Sequence, residues 1–104
     1  MSIAYYSDVP NVTPAQAQQV SDFVNARLGP NTPPEGGRFH ADGPTSDGGW
    51  WQFDLWESAE HFTRFYDAIL APAITQVGLD PGTITLRQLE VKWDSTQVPQ
   101  GGPA

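Results

Sequence analysis

A tryptophan-rich run, Trp50-Trp51-Gln52-Phe53-Asp54-Leu55-Trp56, and His40 upstream of it carry most of the chemistry available to this chain of 104 residues. Alternate residues of a strand share a face, so Trp50, Gln52, Asp54 and Trp56 point one way and Trp51, Phe53 and Leu55 the other. A carboxylate set among tryptophans is disfavoured in its charged form, and Asp54 so placed can act as a base toward an acidic phenol or enol. The ordinary alternative is a cross-strand pair with His40 or Arg38. His40 titrates near neutrality and is the best single residue for acid–base work or polar recognition, although a lone histidine on a strand is commonly a hydrogen-bonded structural residue. Tyr66 can turn its hydroxyl into a cavity, as can Tyr5 and Tyr6 from opposite faces of a first strand; aromatics at such spacing are more often core. Trp56 likewise reads as a core or interface residue and Gln52 as a partner of the neighbouring strand.

Other chemistries find no residues. There is no cysteine, and the two histidines, His40 and His61, fall on different elements without clustered carboxylates, so no metal site is expected. His61 belongs to the first turn of a helix and is expected to face solvent. No Gly-rich phosphate loop, Walker-like lysine or Ser-His-Asp ordering is present. Twelve acidic residues against five basic ones give a net charge of −7, and the basic residues are scattered singly, so neither nucleic acid nor an anionic membrane is an expected partner. The N-terminus lacks a charged start followed by a long apolar run, no stretch has membrane-spanning length, and a cytoplasmic protein is the default.

The elements that must position these residues are legible in order. Ser2 to Ser7 reads as a short strand. Thr13-Pro14-Ala15-Gln16 has the form of a capping box, opening a helix with Ala17, Val20, Phe23, Val24 and Leu28 on one face and closed by Gly29-Pro30. Arg38 to Asp42 alternates, with Phe39 and Ala41 on one face and Arg38, His40 and Asp42 on the other, and a glycine-rich turn joins it to the tryptophan strand as a hairpin. Ser58 caps a second helix whose apolar stripe runs from Phe62 to Val77, with Pro72 expected to kink it. Thr83 to Trp93 reads as the longest strand. Its apolar residues change parity, Ile84 and Leu86 against Leu89, Val91 and Trp93, which implies a bulge near Arg87-Gln88 or burial on different faces along its length.

The order β-α-β-β-α-β is the ferredoxin-like arrangement: an α+β domain over residues 1–93 with a four-stranded antiparallel sheet and both helices on one face, followed by a loose tail at 94–104. Both faces of the third strand carry large apolar side chains. Soluble monomers rarely expose such a patch, so a homodimer with two sheets packed face to face is expected.

The segment from Phe39 to Ile74 resembles the hairpin and second helix of the dimeric α/β-barrel superfamily, and more narrowly its small members related to antibiotic-biosynthesis monooxygenases. The resemblance rests on His40, the Gly43-Pro44 turn, the run Asp54-Leu55-Trp56-Glu57-Ser58, the phenylalanine-rich helix and Leu70-Ala71-Pro72-Ala73. It implies a pocket between sheet and helices lined by some of Trp56, Tyr66, Phe39, His40, Gln52 and Asp54, and a small aromatic or polyketide-like ligand. It also implies oxygenase chemistry without a cofactor. Gln52 and Trp56 would orient the substrate, with His40 or Asp54 promoting its deprotonation. Those monooxygenases carry asparagine where this chain has Gln52, one methylene shorter. Haem-degrading relatives place a histidine iron ligand where this chain has Phe65 and Tyr66, with His61 one turn too early, so haem is not expected. The competing reading is a non-catalytic binding or interaction protein, favoured if Tyr66 and Phe62 pack directly onto Trp56 and fill the interior, and disfavoured by a void of a few hundred Å³, on the order expected for ligand sites.

Overall fold

A computed structural model describes residues 2–97. Strand β1 (Ile3–Val9) leads into helix α1 (Pro14–Leu28), the hairpin of β2 (Gly37–Pro44) and β3 (Trp50–Trp56), a second helical segment, and β4 (Arg87–Glu90). The four strands form one antiparallel sheet in the order β2-β3-β1-β4, the ferredoxin-like topology expected from the element order.

Local chemistry sets the helix ends. Thr13 Oγ1 accepts from the Gln16 backbone N–H at 3.1 Å while Gln16 Oε1 accepts from the Thr13 N–H at 3.0 Å, a reciprocal capping box with Pro14 behind it. Ser58 caps the second segment through its hydroxyl and the His61 N–H. That segment comprises α2 (Ala59–Phe65), a π-turn (Tyr66–Leu70) and α3 (Ala71–Gln76). The irregularity falls where Pro72 removes the N–H that would have bonded the Ala68 carbonyl. The ladder slips by one residue, so that the Ala71 N–H reaches Tyr66 O, five residues back.

The core lies between the sheet and this second segment. Tyr5 of β1 stacks on Phe62 with ring centroids 3.9 Å apart, and Trp56 meets Phe62 at 5.6 Å and Phe65 at 5.3 Å. Burying each such ring contributes roughly 1.5–3 kcal/mol. Leu70, Ala73 and Ile74 extend the buried stripe along α3.

Two expectations about the chain are corrected. The fourth strand is the shortest, four residues rather than the run from Thr83 to Trp93. β1 pairs with it only from Ile3, opposite Glu90, to Tyr6, opposite Arg87, and a 3₁₀ turn at Pro81–Thr83 lies ahead of it. The change of parity needs no bulge: Leu86, ahead of the strand, packs against the Tyr5–Trp56–Phe62 cluster, whereas Leu89 pairs with Ala4 on the opposite face. His61 does not face solvent. It is half-buried against Gly36, with Nδ1 2.6 Å from Ser58 Oγ. Most of the tail expected at 94–104 lies outside the described residues.

Candidate functional site

Helix α1 does not press on the sheet. None of its residues is fully buried, and its Ala17, Val20, Val24 and Leu28 instead wall a cavity of about 610 Å³. Leu70 and Ile74 close another side, and the helix-facing side chains of β2 and β3 form the floor. The void is of the size expected for a ligand site, although it lies beside α1 as much as beneath the second helix.

The register of the hairpin sets the polar floor. His40 of β2 pairs with Asp54 of β3, and Asp42 pairs with Gln52. His40 Nδ1 lies 2.5 Å from Asp54 Oδ1, and its Nε2 meets Asp42 Oδ2. Gln52 Nε2 donates to Asp54 Oδ2 at 3.2 Å, and Trp50 Nε1 donates to Asp42 Oδ1 at 3.1 Å. Asp54 is 4% exposed, so its carboxylate depends on these partners for the solvation it has lost. The hydrogen bond that His40 donates to Asp54 is the largest cause that pushes its imidazole up to about 9; partial burial opposes it, while the Asp54 charge and the contact with Asp42 add to it. His40 is therefore an imidazolium at neutral pH, clasped between two carboxylates. Of the two readings of Asp54, the pairing with His40 is the one present.

Trp56 is buried beneath Phe62 and Phe65, and its Nε1 has no hydrogen-bond partner among the described residues. Tyr66 borders the cavity from the start of the π-turn, its ring 5.6 Å from Phe62 and its hydroxyl donating to Pro81 O at 3.4 Å. Burial, then the charges of Asp67 and Asp80, push its phenol above the ordinary value. Among the expected site residues, His40, Gln52, Asp54, Trp56 and Tyr66 thus converge on one cavity. Phe39 borders the same cavity at its rim, while its ring lies 6.3 Å from that of Phe53, whose odd position places it on the other sheet face.

Three parts of the site were not singled out from sequence. Asp42, two residues from His40 and therefore on its face, is the second clasp of the imidazole. Trp50 anchors Asp42. Ser7, 4% exposed and opposite Gln52 on β1, adds a hydroxyl to the floor. Period-two alternation carried the signal for all three. Among the described residues no group of three or more His, Cys, Asp or Glu side chains is arranged to hold a metal ion, and no helix is long and apolar enough to cross a membrane.

No protein-family model and no curated protein matches the sequence. Solved structures do match in shape. Rv0793 from Mycobacterium tuberculosis superposes with a TM-score of 0.64 at 14% identity, over 91% of this chain and 99% of its own. SnoaB, a cofactor-independent oxygenase from Streptomyces nogalater, gives 0.61 at 13% identity, over 90% and 96%. A dimeric ferredoxin-like protein of unknown function from Thermobifida fusca gives 0.60 at 15% identity, over 88% and 92%. Likeness at such identities is likeness of fold, and the fold this chain has is the ferredoxin-like α+β architecture that SnoaB and the Thermobifida protein share with it.

Proposed function

We propose that the cavity binds a small aromatic or polyketide-like compound and that the protein is a monooxygenase-like enzyme working without a cofactor. The observation that carries this reading is the placement of the His40–Asp54 couple on the floor of a ligand-sized apolar cavity; the shared fold with a cofactor-independent oxygenase supports it. In this chemistry an activated CH2 carbon of the substrate loses one proton to a base. The carbanion and dioxygen form a peroxide anion that takes that proton back, and the hydroperoxide loses water, with the carbon's second hydrogen, to leave a carbonyl, so one oxygen atom ends in product and the other in water. His40, released by the half-exposed Asp42 and held in orientation by Asp54, is the base; Gln52 and Trp56 orient the ring system. Because the imidazole keeps its proton up to about 9, its basic form is the minor one at neutrality and grows about tenfold per pH unit.

The working unit in this reading is a cytoplasmic homodimer joined through the outer sheet face, with no nucleic acid or membrane partner. A dimeric neighbour of the same fold and the exposure of Phe39 and Leu89 support the dimer.

A second reading, a non-catalytic binding protein, draws on a different observation. Both ring nitrogens of His40 are engaged, and Phe62 packs directly on Trp56. Oxygen uptake separates the two. Hydroxylated anthrones are titrated against the tryptophan fluorescence and then followed at an oxygen electrode, with His40→Ala alongside. Quenching with His40-dependent uptake is the expected result. Quenching without uptake selects the second reading, and no quenching across the panel sinks both.

A further inference from the structure

Counting donors against acceptors along the cavity floor leaves an excess of acceptors. His40 spends both ring nitrogens on carboxylates, and the indole N–H of Trp50 and one amide hydrogen of Gln52 are spent the same way. An ionised carboxylate has about four lone-pair sites, and Asp42 and Asp54 each receive two donors. Among the described residues nothing donates to the Gln52 carbonyl oxygen. What the floor still offers an incoming molecule is chiefly lone pairs.

The charges agree with the hydrogen bonds. One imidazolium faces two carboxylates, which leaves a negative charge partly withdrawn from water. Arg38, the other cation bordering the cavity, makes no ion pair with Asp42 or Asp54 among the described residues. Its Nη1 donates to Ser2 Oγ at 2.7 Å, and its charge acts on Asp94. Trp50 on the floor and Phe65 and Tyr66 from the second helical segment also line the cavity, and aromatic faces attract cations and repel anions.

We propose that the cavity takes an aromatic compound bearing a protonated amine, its ring system lying between α1 and the sheet and its ammonium meeting Asp42 and Asp54. The inference rests on the cavity being a ligand site and specifies the charge of what enters it. A neutral hydroxyl fills the same acceptors but leaves the charge uncompensated. A carboxylate on the ligand meets two carboxylates at the floor, where the one cation, His40, is already held by both.

Four probes with one ring system test this at neutral pH and low salt by calorimetry: methylnaphthalene, naphthol, naphthylmethylamine and naphthoate. The amine binds most tightly, by about tenfold or more over naphthoate, and added salt narrows that gap. Asp42→Asn, at a half-exposed position, weakens the amine several-fold and leaves methylnaphthalene unchanged. Naphthoate binding as tightly as the amine overturns the inference, as does an Asp42→Asn variant with undiminished amine affinity. If all four bind alike, the cavity remains a ligand site and only the charge selection falls. If none binds, the ligand-site reading falls and this inference with it.

Discussion

The Asp54 carboxylate reaches across the β2–β3 pair to within 2.5 Å of His40 Nδ1, and this contact, more than any other, keeps the imidazole protonated to about 9. A pKa raised in the folded state stabilises the protein below the unfolded value, near 6.5, and that stabilisation is lost as pH climbs through 9. His40 is 54% exposed in its side chain, so screening by water reduces the effect to about 1 kcal/mol. Urea midpoints measured at pH 6 and pH 9.5 should fall by that amount in the wild-type protein and stay level in His40→Gln. A wild-type midpoint that does not move would mean the couple is not formed in solution.

Replacing the carboxylate while keeping its shape separates charge from packing. In Asp54→Asn the amide still accepts a hydrogen bond but carries no charge, so the His40 pKa drops back toward its ordinary value, held up only by Asp42. Imidazole proton shifts followed by NMR across pH 5 to 10 report this directly. The buried amide also faces Gln52 with a donor where an acceptor stood, and the variant should lose about 1–3 kcal/mol.

Trp56 combines a well-packed ring with a buried N–H that has no partner among the described residues. An unpaired buried donor costs free energy, and Trp56→Phe removes it along with part of the ring. The two effects offset each other, so Trp56→Phe should change stability by about 1 kcal/mol or less, against about 3–5 kcal/mol for Trp56→Ala. Equal losses in the two variants, read from denaturant midpoints, would show that the indole nitrogen is satisfied in solution.

Gly36 sits at φ +81°, and a Cβ there would fall 2.4 Å from Cγ of His61. Gly36→Ala should cost about 1 kcal/mol for the backbone and a further 1–3 kcal/mol for the collision. His61→Ala removes the ring but keeps a Cβ 2.6 Å from the new methyl, so a double-mutant cycle should return the ring's share of the collision and leave the backbone part and the Cβ contact. Additive losses would place the His61 ring elsewhere.

What could be read in advance followed how local the determinants are. Thr13 and Gln16 cap α1 through bonds three residues apart, and Pro72 disturbs its own helical turn, so both were visible in the sequence. Period-two alternation put His40, Gln52, Asp54 and Trp56 on one face and Phe39 on the other, so Phe39 borders the cavity only at its rim. The extent of β4 was hidden because it depends on how much of β1 pairs with it, a property of a partner more than eighty residues away. The cavity was hidden for a similar reason. The stripe Ala17, Val20, Val24 looks like core, but the Tyr5–Phe62–Trp56 stack holds the second helix on the sheet while these short side chains stop short of it.

The outer sheet face supplies the last test. Phe39 is 50% exposed and Leu89 36%, beside the half-buried Trp51, Phe53 and Leu55. Apolar surface of this kind, concentrated on one sheet face, is what the proposed homodimer would bury. Phe39→Asp places a charge on this face, at the β2 edge of the sheet, without touching the core between sheet and helices. Light scattering should therefore give twice 11.4 kDa for the wild-type protein and about half that mass for the variant, with unchanged far-UV circular dichroism. The Phe39 ring packs edge-on toward Phe53 and Phe39 borders the cavity only at its rim, so ligand binding by the monomeric variant should persist. A wild-type protein that runs at 11.4 kDa would remove the dimer from the proposal and leave the cavity chemistry standing.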